Sequence, residues 1–167
     1  MEISADSVKS LRERTGAGVM DCKRALVDSE GNMDRAADLL RERGLASVAK
    51  RAGREAGQGL IESYIHHNGR IGVLLEINCE TDFVANTPEF RQLAHVITQH
   101  IAFANPRSVD DVEGEPLEAS ELPLLKQESI QHSGQTIADL VRETAAKTGE
   151  NILVRRFARY ELGTAED

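Results

Sequence analysis

The sequence predicts an α+β protein, in which an N-terminal three-helix module precedes an antiparallel three-stranded sheet packed with helices. The first third of the chain carries short apolar patterns of helical spacing, separated by glycines. The middle alternates apolar and polar residues with a period of two, as a half-buried strand does. The predicted organisation is therefore a helical module over residues 1–44, a linker over 45–58, and an α+β core over 59–167.

Each helix of the first module has start and stop signals. Ser4 is predicted to cap the first helix and Gly16 to end it. The second helix is expected over Val19–Ser29. Asn32 then caps a third helix, which Gly44 closes. A module this small is marginally stable by itself, so we expect it to present a surface.

The segment after Gly44 is rich in Ala, Gly, Lys and Arg and is predicted to be a linker. Its basic cluster consists of Lys50, Arg51 and Arg54. A solvated helical linker explains these charges more simply than a phosphate site does.

Two strands and a tight turn are predicted in the middle of the chain. From Ile71 to Cys79 the odd positions are apolar, and Leu60–His67 is a second strand candidate. Asn68 and Gly69 lie between them and favour a type I′ turn, which needs positive backbone angles at both positions. The pattern therefore predicts a β-hairpin.

A helix is predicted to cover this hairpin. Thr87 and Pro88 supply a cap and a first helical position. One apolar stripe follows at helical spacing, formed by Phe90, Leu93, Ala94, Ile97 and Ile101.

The last third is predicted to alternate between surface segments and regular elements. Asn105–Glu118 is polar and broken by proline and glycine, which indicates a surface excursion with at most a short edge strand. We expect a helix near Glu118–Gln131 and another from Thr136 to Gly149. Ile152–Leu162 is predicted to be a strand that pairs with the hairpin, because an isolated two-stranded ribbon is marginally stable.

Composition narrows the classes of function. The net charge of −8 and the scarcity of aromatic residues argue against direct nucleic-acid binding, which needs basic surfaces and stacking platforms. No apolar run is long enough for a membrane span, and no secretory signal is evident, so a cytoplasmic protein with protein partners is expected. Cys22 and Cys79 are too far apart for a metal knuckle and are expected to be reduced thiols.

The sequence lacks the common motifs of catalysis. No GxxxxGK[ST], HExxH, GxSxG or DxDxDG stretch occurs, so no enzymatic activity and no cofactor are predicted. Gly16 and Gly18 precede a helix, but no strand comes before them, which favours a helix stop over a nucleotide loop. The spacing of His66, His67, His95 and His100 favours surface histidines over a metal site.

One turn after the second strand carries candidate functional residues. Glu80 and Asp82 are carboxylates two positions apart, where acid–base chemistry or cation binding is conceivable, but nothing nearby completes such a site. Phe83 is a rare aromatic residue beside Asp82. Taken alone, Phe83 is more often a core residue than an exposed contact.

Three stretches resemble the elongation factor Ts family. LRERTGAGVMDCKRAL at 11–26 is similar to its first signature, and EINCETDFVA at 76–85 is similar to its second. GENILVRRF at 149–157, continuing to Gly163, resembles its closing strand. The similarity runs from about Val8 to Gly163.

The resemblance implies a guanine-nucleotide exchange factor that acts on elongation factor Tu. The family's probe turn corresponds here to Thr81, Asp82, Phe83 and Val84, which would displace the partner's Mg²⁺. Its N-terminal contact corresponds to Arg12, Val19 and Met20. The factor would bind the GDP-bound and nucleotide-free states of the partner and would leave when GTP binds.

Two departures from the family qualify this transfer. Val19 stands at the first place of what is usually a Met-Met pair, so the N-terminal contact is expected to be repacked. The longer members insert a second subdomain between the region near Gly134 and the last strand, whereas this chain continues directly. The resemblance thus implies a short bacterial form with a smaller interface, built on a dimerisation-type core, and a homodimer is possible.

The competing hypothesis is a protein–protein adaptor. A three-helix module with a methionine at its tip resembles ubiquitin-associated (UBA) domains, and such an adaptor would have no exchange activity. On that hypothesis the hairpin, Asp82 and Phe83 would be incidental.

Overall fold

The computed structural model describes residues 3–112 and 122–164. The chain divides into two compact units, Met1–Arg51 (unit 1) and Ala52–Asp167 (unit 2). Unit 1 contains the helices α1 (Ala5–Thr15), α2 (Val19–Asp28) and α3 (Met33–Arg51). In chain order, unit 2 contains β1 (Gln58–Ile65), β2 (Ile71–Cys79), α4 (Asp82–Ala85), α5 (Pro88–Ala104), α6 (Ile137–Thr148) and β3 (Leu153–Glu161). The α+β class predicted from the sequence is confirmed.

Unit 1 forms as its capping residues predict. The Ser4 hydroxyl accepts a hydrogen bond from the Ser7 amide at 3.1 Å, and Gly16 ends α1 with φ of +69°. The Asn32 side chain accepts from the Arg35 amide at 3.0 Å at the start of α3. The small core of this unit consists of Val8, Leu11, Cys22, Ala25, Leu26, Ala36 and Leu40.

The predicted end of the third helix at Gly44 is wrong, because α3 continues to Arg51. An internal glycine costs a helix about 1 kcal/mol relative to alanine. The residues that follow Gly44 are mostly good helix formers, which offset this cost and carry the helix on. The first half of the predicted linker is therefore helical, and only Ala52–Gly57 lies between α3 and β1.

The three strands form one antiparallel sheet in the order β1-β2-β3. β2 is central, and its Val73 pairs with Tyr64 on one side and with Arg159 on the other. The predicted pairing of the last strand with the hairpin is confirmed. A register shift in the β2–β3 ladder falls between Glu76 and Ile77.

The hairpin forms, but its turn is not type I′. Gly69 has φ of +67°, whereas Asn68 is not left-handed. The His66 carbonyl accepts from the Gly69 amide at 2.7 Å, and the Asn68 side chain accepts from the Arg70 amide at 3.1 Å. This side-chain bond stabilises a wider loop with a single left-handed residue, which is the other common hairpin geometry.

The helix α5 packs on one face of the sheet, as its apolar stripe predicts. Thr87 caps it, and Phe90, Ile97 and Ile101 are buried against β1 and β2. The opposite face of the sheet keeps exposed apolar side chains, namely Ile61, Ile65, Leu74 and Tyr160. The core of unit 2 therefore lies between the helices and one side of the sheet only.

The predicted helix near Glu118–Gln131 is wrong over its described part, and its first four residues lie outside the described ranges. Only one 3₁₀ turn, Leu124–Lys126, forms there. The Leu124 amide donates to the Ser108 carbonyl at 2.9 Å and the Ser129 amide to the Gln135 carbonyl at 2.8 Å. Because these amides bond to other segments, they do not form an internal helical ladder. Residues 105–112 contain no strand, and the remainder of that predicted excursion is outside the described residues.

The helix α6 begins and ends where the sequence predicts. Thr136 and Asp139 form a reciprocal capping box, and the two Thr136 bonds keep the pKa of the Asp139 carboxyl below its ordinary value. Gly149 ends the helix with φ of +75°. No helix among the described residues has the length and apolar character needed to cross a membrane.

Candidate functional site: an exposed aromatic on a fastened turn

Phe83 lies on α4, a single helical turn directly after the central strand. Thr81 caps this turn by accepting from the Val84 amide at 3.3 Å. The turn directs Val84 and Ala85 into the core, while the Phe83 side chain is 79 % exposed. The expectation that Phe83 is a core residue, drawn from its residue type alone, is therefore wrong.

The backbone of α4 accepts hydrogen bonds from the side chains of the two residues that connect it to α5. The Asp82 carbonyl accepts from the Asn86 side chain at 2.9 Å, and the Val84 carbonyl accepts from the Thr87 hydroxyl at 2.7 Å. Arg91 in turn donates to the Asn86 side chain at 2.9 Å, which holds that amide in place. The turn is consequently an ordered extension of α5 rather than a free loop.

A pair of carboxylates fastens the start of the turn to the α6–β3 connection. One oxygen of Glu150 accepts from the Glu80 and Thr81 amides, each at 3.0 Å, and the other accepts from the Thr81 hydroxyl at 2.6 Å. In return, the Glu80 side chain accepts from the Asn151 amide at 2.7 Å. We call these four bonds the carboxylate clasp.

Buried groups support the clasp from below. The Asn151 side chain donates to the Arg54 carbonyl at 2.8 Å and to the Ala52 carbonyl at 3.3 Å. The Cys79 thiol donates to the Thr81 carbonyl at 3.0 Å. Burial raises the pKa of this thiol, and the neighbouring Glu150 charge acts in the same direction, so Cys79 remains a protonated donor.

A shallow cleft adjoins the exposed aromatic ring. It is lined by Asp82, Phe83, Asn86, Thr87 and Pro88. The cleft joins the tip of α4 to the first turn of α5, so a partner side chain can contact the ring and these polar groups together. The structure thereby brings the predicted residues Thr81, Asp82 and Phe83 to the surface, whereas Val84 is buried beneath them.

The other predicted contact residues lie in unit 1. Val19 and Met20 form the first turn of α2 and are 50 % and 60 % exposed. Arg12 is exposed on α1. Val27, further along α2, is also an exposed apolar residue, and the sequence did not predict it as a contact.

The histidines differ in their surroundings. His100 is buried, which makes its expected surface position wrong. Its two ring nitrogens bond to the Gln127 side chain at 2.8 Å and to the Ile130 amide at 3.3 Å, and burial lowers its pKa. Within residues 3–112 and 122–164, no group of three or more His, Cys, Asp or Glu side chains is arranged to hold a metal ion.

The carboxylate clasp is not among the features predicted from the sequence. Glu150 and Asn151 contributed there only as part of a stretch that resembles a known family. Their partners are about 70 residues away along the chain, as the Glu80–Asn151 and Thr81–Glu150 bonds show. A glutamate directly after a helix-ending glycine was the available signal, but it does not indicate which backbone amides the carboxylate will meet.

The fold and the site define an α+β protein that presents an exposed aromatic residue on a fixed turn and exposed apolar side chains at the start of a helix in unit 1. The profile of the family described as Elongation factor TS matches residues 80–166. The elongation factor Ts of Caldanaerobacter subterraneus subsp. tengcongensis is 49 % identical, with 96 % of this chain and 97 % of that protein covered. The factor of Thermoanaerobacter sp. (strain X514) is 48 % identical, with 96 % and 95 % covered, and that of Desulfitobacterium hafniense is 48 % identical, with 97 % and 90 % covered. The chain belongs to the elongation factor Ts family.

The matched span shows one difference from these relatives. The alignment with the Caldanaerobacter protein runs over 194 positions, although this chain has 167 residues. The relative therefore carries residues within the matched span that this chain lacks.

Proposed function

We propose that this protein is a guanine-nucleotide exchange factor for elongation factor Tu and that it acts in translation elongation without catalysing a covalent step. The observation that carries the proposal is the exposure of Phe83 on a turn whose backbone is bonded on several sides. Burying a large aromatic ring in a partner is a common source of hot-spot binding energy. Membership of the elongation factor Ts family supports the choice of partner.

The proposed mechanism works through the partner's metal ion. Mg²⁺ needs near-ideal octahedral geometry and bridges the phosphates of a bound nucleotide to protein ligands. Phe83 would insert between partner side chains near these ligands, and Asp82 would help to move the groups that hold the ion. Thr81 and Val84 would keep the two contact residues in position from either side. A small displacement of the ligands then suffices to weaken GDP binding.

Linkage determines how the cycle ends. A factor that weakens GDP binding by some ratio is itself bound more weakly, by the same ratio, when GDP is present. The factor would therefore stabilise the nucleotide-free partner and be displaced by incoming GTP. No cofactor and no metal of its own are required.

Unit 1 would supply affinity rather than displacement. Val19 and Met20 would form an exposed apolar contact for the same partner. Arg12, which lies close to them in the sequence, would add a positive charge. Exposed apolar side chains at a helix start can be buried on binding without moving a metal ligand. We place this action in the cytoplasm, with no direct nucleic-acid contact.

A homodimer is a further part of the proposal. The outer face of the sheet exposes Ile61, Ile65, Leu74 and Tyr160, and β3 lies at a sheet edge. A second copy of the chain would cover this apolar face or pair along this edge. Sedimentation equilibrium of the wild-type protein and of Leu74→Lys tests this: a wild-type dimer that the charge dissociates supports it, and a monomeric wild-type protein contradicts it.

The deciding experiment measures release of a fluorescent GDP analogue from elongation factor Tu. We expect wild-type protein to accelerate release strongly and Phe83→Ala to remove most of the acceleration. Phe103→Ala is the matched control, because Phe103 is 77 % exposed in the same unit but is placed in no contact by the proposal. If the wild-type protein at saturating concentration does not accelerate release, the exchange function is wrong and the adaptor hypothesis takes its place.

A further inference from the structure

We infer that Glu150 is a positioning residue for the exchange reaction, acting through the turn that carries Phe83 rather than through its own contact with the partner. This inference rests on the proposed exchange function and specifies which part of the chain sets its maximal rate. Glu150 is separated from the turn by 69 residues of sequence and reaches it with three hydrogen bonds.

The carboxylate clasp provides an acceptor for the backbone amides that follow the end of β2. After Cys79 the β ladder stops, so the amides of Glu80 and Thr81 have no strand partner. The Glu150 carboxylate accepts from both amides and from the Thr81 hydroxyl. Hydrogen bonds to a charged acceptor are about twice as strong as neutral ones. A single side chain thus fixes the direction in which the chain leaves the sheet.

The Thr81 hydroxyl transmits this constraint to the helical turn. Its hydrogen is donated to Glu150, which leaves its lone pairs directed toward the Val84 amide as the cap of α4. The orientation of the cap is therefore coupled to the carboxylate. Removing the carboxylate frees the hydroxyl to rotate and loosens the turn on which Phe83 lies.

The hydrogen bonds of the carboxylate clasp run in both directions between the two chain segments, which makes the turn rigid. Glu150 holds the Glu80 and Thr81 amides, while Glu80 holds the Asn151 amide. Two chain segments are thereby joined by side chains from both sides, so neither can swing without breaking bonds of the other. A rigid contact residue needs less ordering when it inserts among the partner's metal ligands, so more of its interaction remains to displace them in the transition state for release.

The test compares three substitutions of Glu150 in stopped-flow release of a fluorescent GDP analogue from elongation factor Tu. Glu150→Ala removes all three bonds, and we expect a roughly tenfold lower maximal rate at saturating factor. Glu150→Asp keeps the charge but withdraws the oxygens by one methylene, and we expect most of the same loss. Glu150→Gln keeps one oxygen for the two amides and should retain at least about a third of the wild-type rate.

A matched control separates positioning from general folding. Glu128 also holds a loop of unit 2, since its carboxylate accepts from the Gly134 amide at 2.7 Å, but that loop carries no predicted contact residue. Glu128→Ala should leave the maximal rate unchanged. Urea unfolding of each variant gives the folded fraction, and the aspartate and glutamine variants keep the test valid if Glu150→Ala does not fold.

The decisive readout is a double-mutant cycle with Phe83. If Glu150 acts through the ring, Glu150→Ala will lower the maximal rate in the wild-type background and have no further effect in Phe83→Ala. An equal loss in both backgrounds, or an unchanged rate in Glu150→Ala alone, would overturn the inference while leaving the exchange function intact. If the wild-type protein does not accelerate release, the exchange function is wrong and this inference fails with it.

Discussion

The two apolar tips of this protein are built alike and anchored differently. Val19–Met20 and Asp82–Phe83 each lie in the first turn of a helix and expose an apolar side chain. However, α4 begins with a threonine cap and the carboxylate clasp, whereas α2 begins at Gly18 with no side-chain cap. Side chains from outside α4 therefore hold the start of that helix, whereas no side chain caps the start of α2.

This difference indicates a division of labour. A side chain that must displace groups in a partner acts more strongly when it is already ordered, because the entropy cost of ordering it offsets less of its interaction. A side chain that only adds buried apolar area can tolerate adjustment. We therefore expect the Phe83 tip to control the rate of nucleotide release and the Val19–Met20 tip to control affinity.

The largest expected effect compares the two tips directly. Phe83→Ala should lower the maximal rate of GDP release on the order of 100-fold, which corresponds to losing an interaction of hot-spot size, about 2.7 kcal/mol, from the transition state. Met20→Ala should mainly raise the concentration of factor needed for half-maximal release, because it removes binding that is equal in the ground and transition states. Titrating each variant against elongation factor Tu separates the two quantities. If the maximal rate falls equally in both variants, the proposal that Phe83 controls the rate and Val19–Met20 the affinity is wrong.

The second prediction concerns acid. Burial lowers the pKa of His100 from its ordinary value of 6.5, so below that value the unfolded chain binds more protons than the folded one. The free energy of unfolding of unit 2 should therefore fall as the pH drops from 6.5 toward the lower folded pKa, by at most about 1.4 kcal/mol per pH unit. All five histidines lie in unit 2, so unit 1 should lack this histidine-linked dependence.

Tyrosine emission makes this measurement specific. Tyr64 and Tyr160 are both in unit 2, and the chain has no tryptophan. Urea unfolding followed by tyrosine fluorescence at pH 7.5 and 5.5 should show the loss, and His100→Gln should flatten it. His132→Gln, at an exposed position, is the control. A pH dependence that persists unchanged in His100→Gln would contradict the assignment.

The parts of the fold that sequence predicts well are those fixed by local chemistry. Ser4, Thr87 and Thr136 cap helices because their hydroxyls accept from amides three residues ahead. The α5 stripe and the alternation along β2 follow from the geometry of a single element. Such features need no knowledge of the rest of the chain.

The features that the sequence did not predict depend on contacts between distant parts of the chain or on the balance among several neighbouring residues. Gly44 stays helical because its neighbours outweigh it, and the residues after Pro123 bond to segments that only the fold brings near. His100 can be buried because its ring nitrogens form hydrogen bonds with the Gln127 side chain and the Ile130 amide. Phe83 was placed on the surface by family resemblance, since its residue type favours the core. The carboxylate clasp could not be predicted, because its partners meet only in three dimensions.

The third prediction concerns a substitution that removes the cap of α4, the helical turn that carries Phe83. Thr81→Val keeps the shape of the side chain but removes both the bond to Glu150 and the bond from the Val84 amide. Unit 2 should lose about 1 kcal/mol of stability, the usual cost of a lost helix cap, and the maximal release rate should fall with it. Thr136→Val removes the comparable cap of α6 and should cost similar stability without slowing release. Equal release rates for the two variants would show that the turn need not be stiff.

The smallest predicted effect comes from adding a side-chain cap to α2, the helix that carries the Val19–Met20 tip. Gly18 has φ of −62° and ψ of 149°, which serine adopts without strain, and an added Cβ would meet only the Asp21 carboxylate oxygen at 3.2 Å. Asp21 is exposed and free to give way, so Gly18→Ser should stabilise unit 1 by about 0.3 kcal/mol. Hydrogen exchange of peptides from unit 1 measures this change, with Ser4→Ala as the opposite substitution at a capped helix. If Gly18→Ser also raises the maximal release rate, the Val19–Met20 tip takes part in displacement and the two tips do not divide the work.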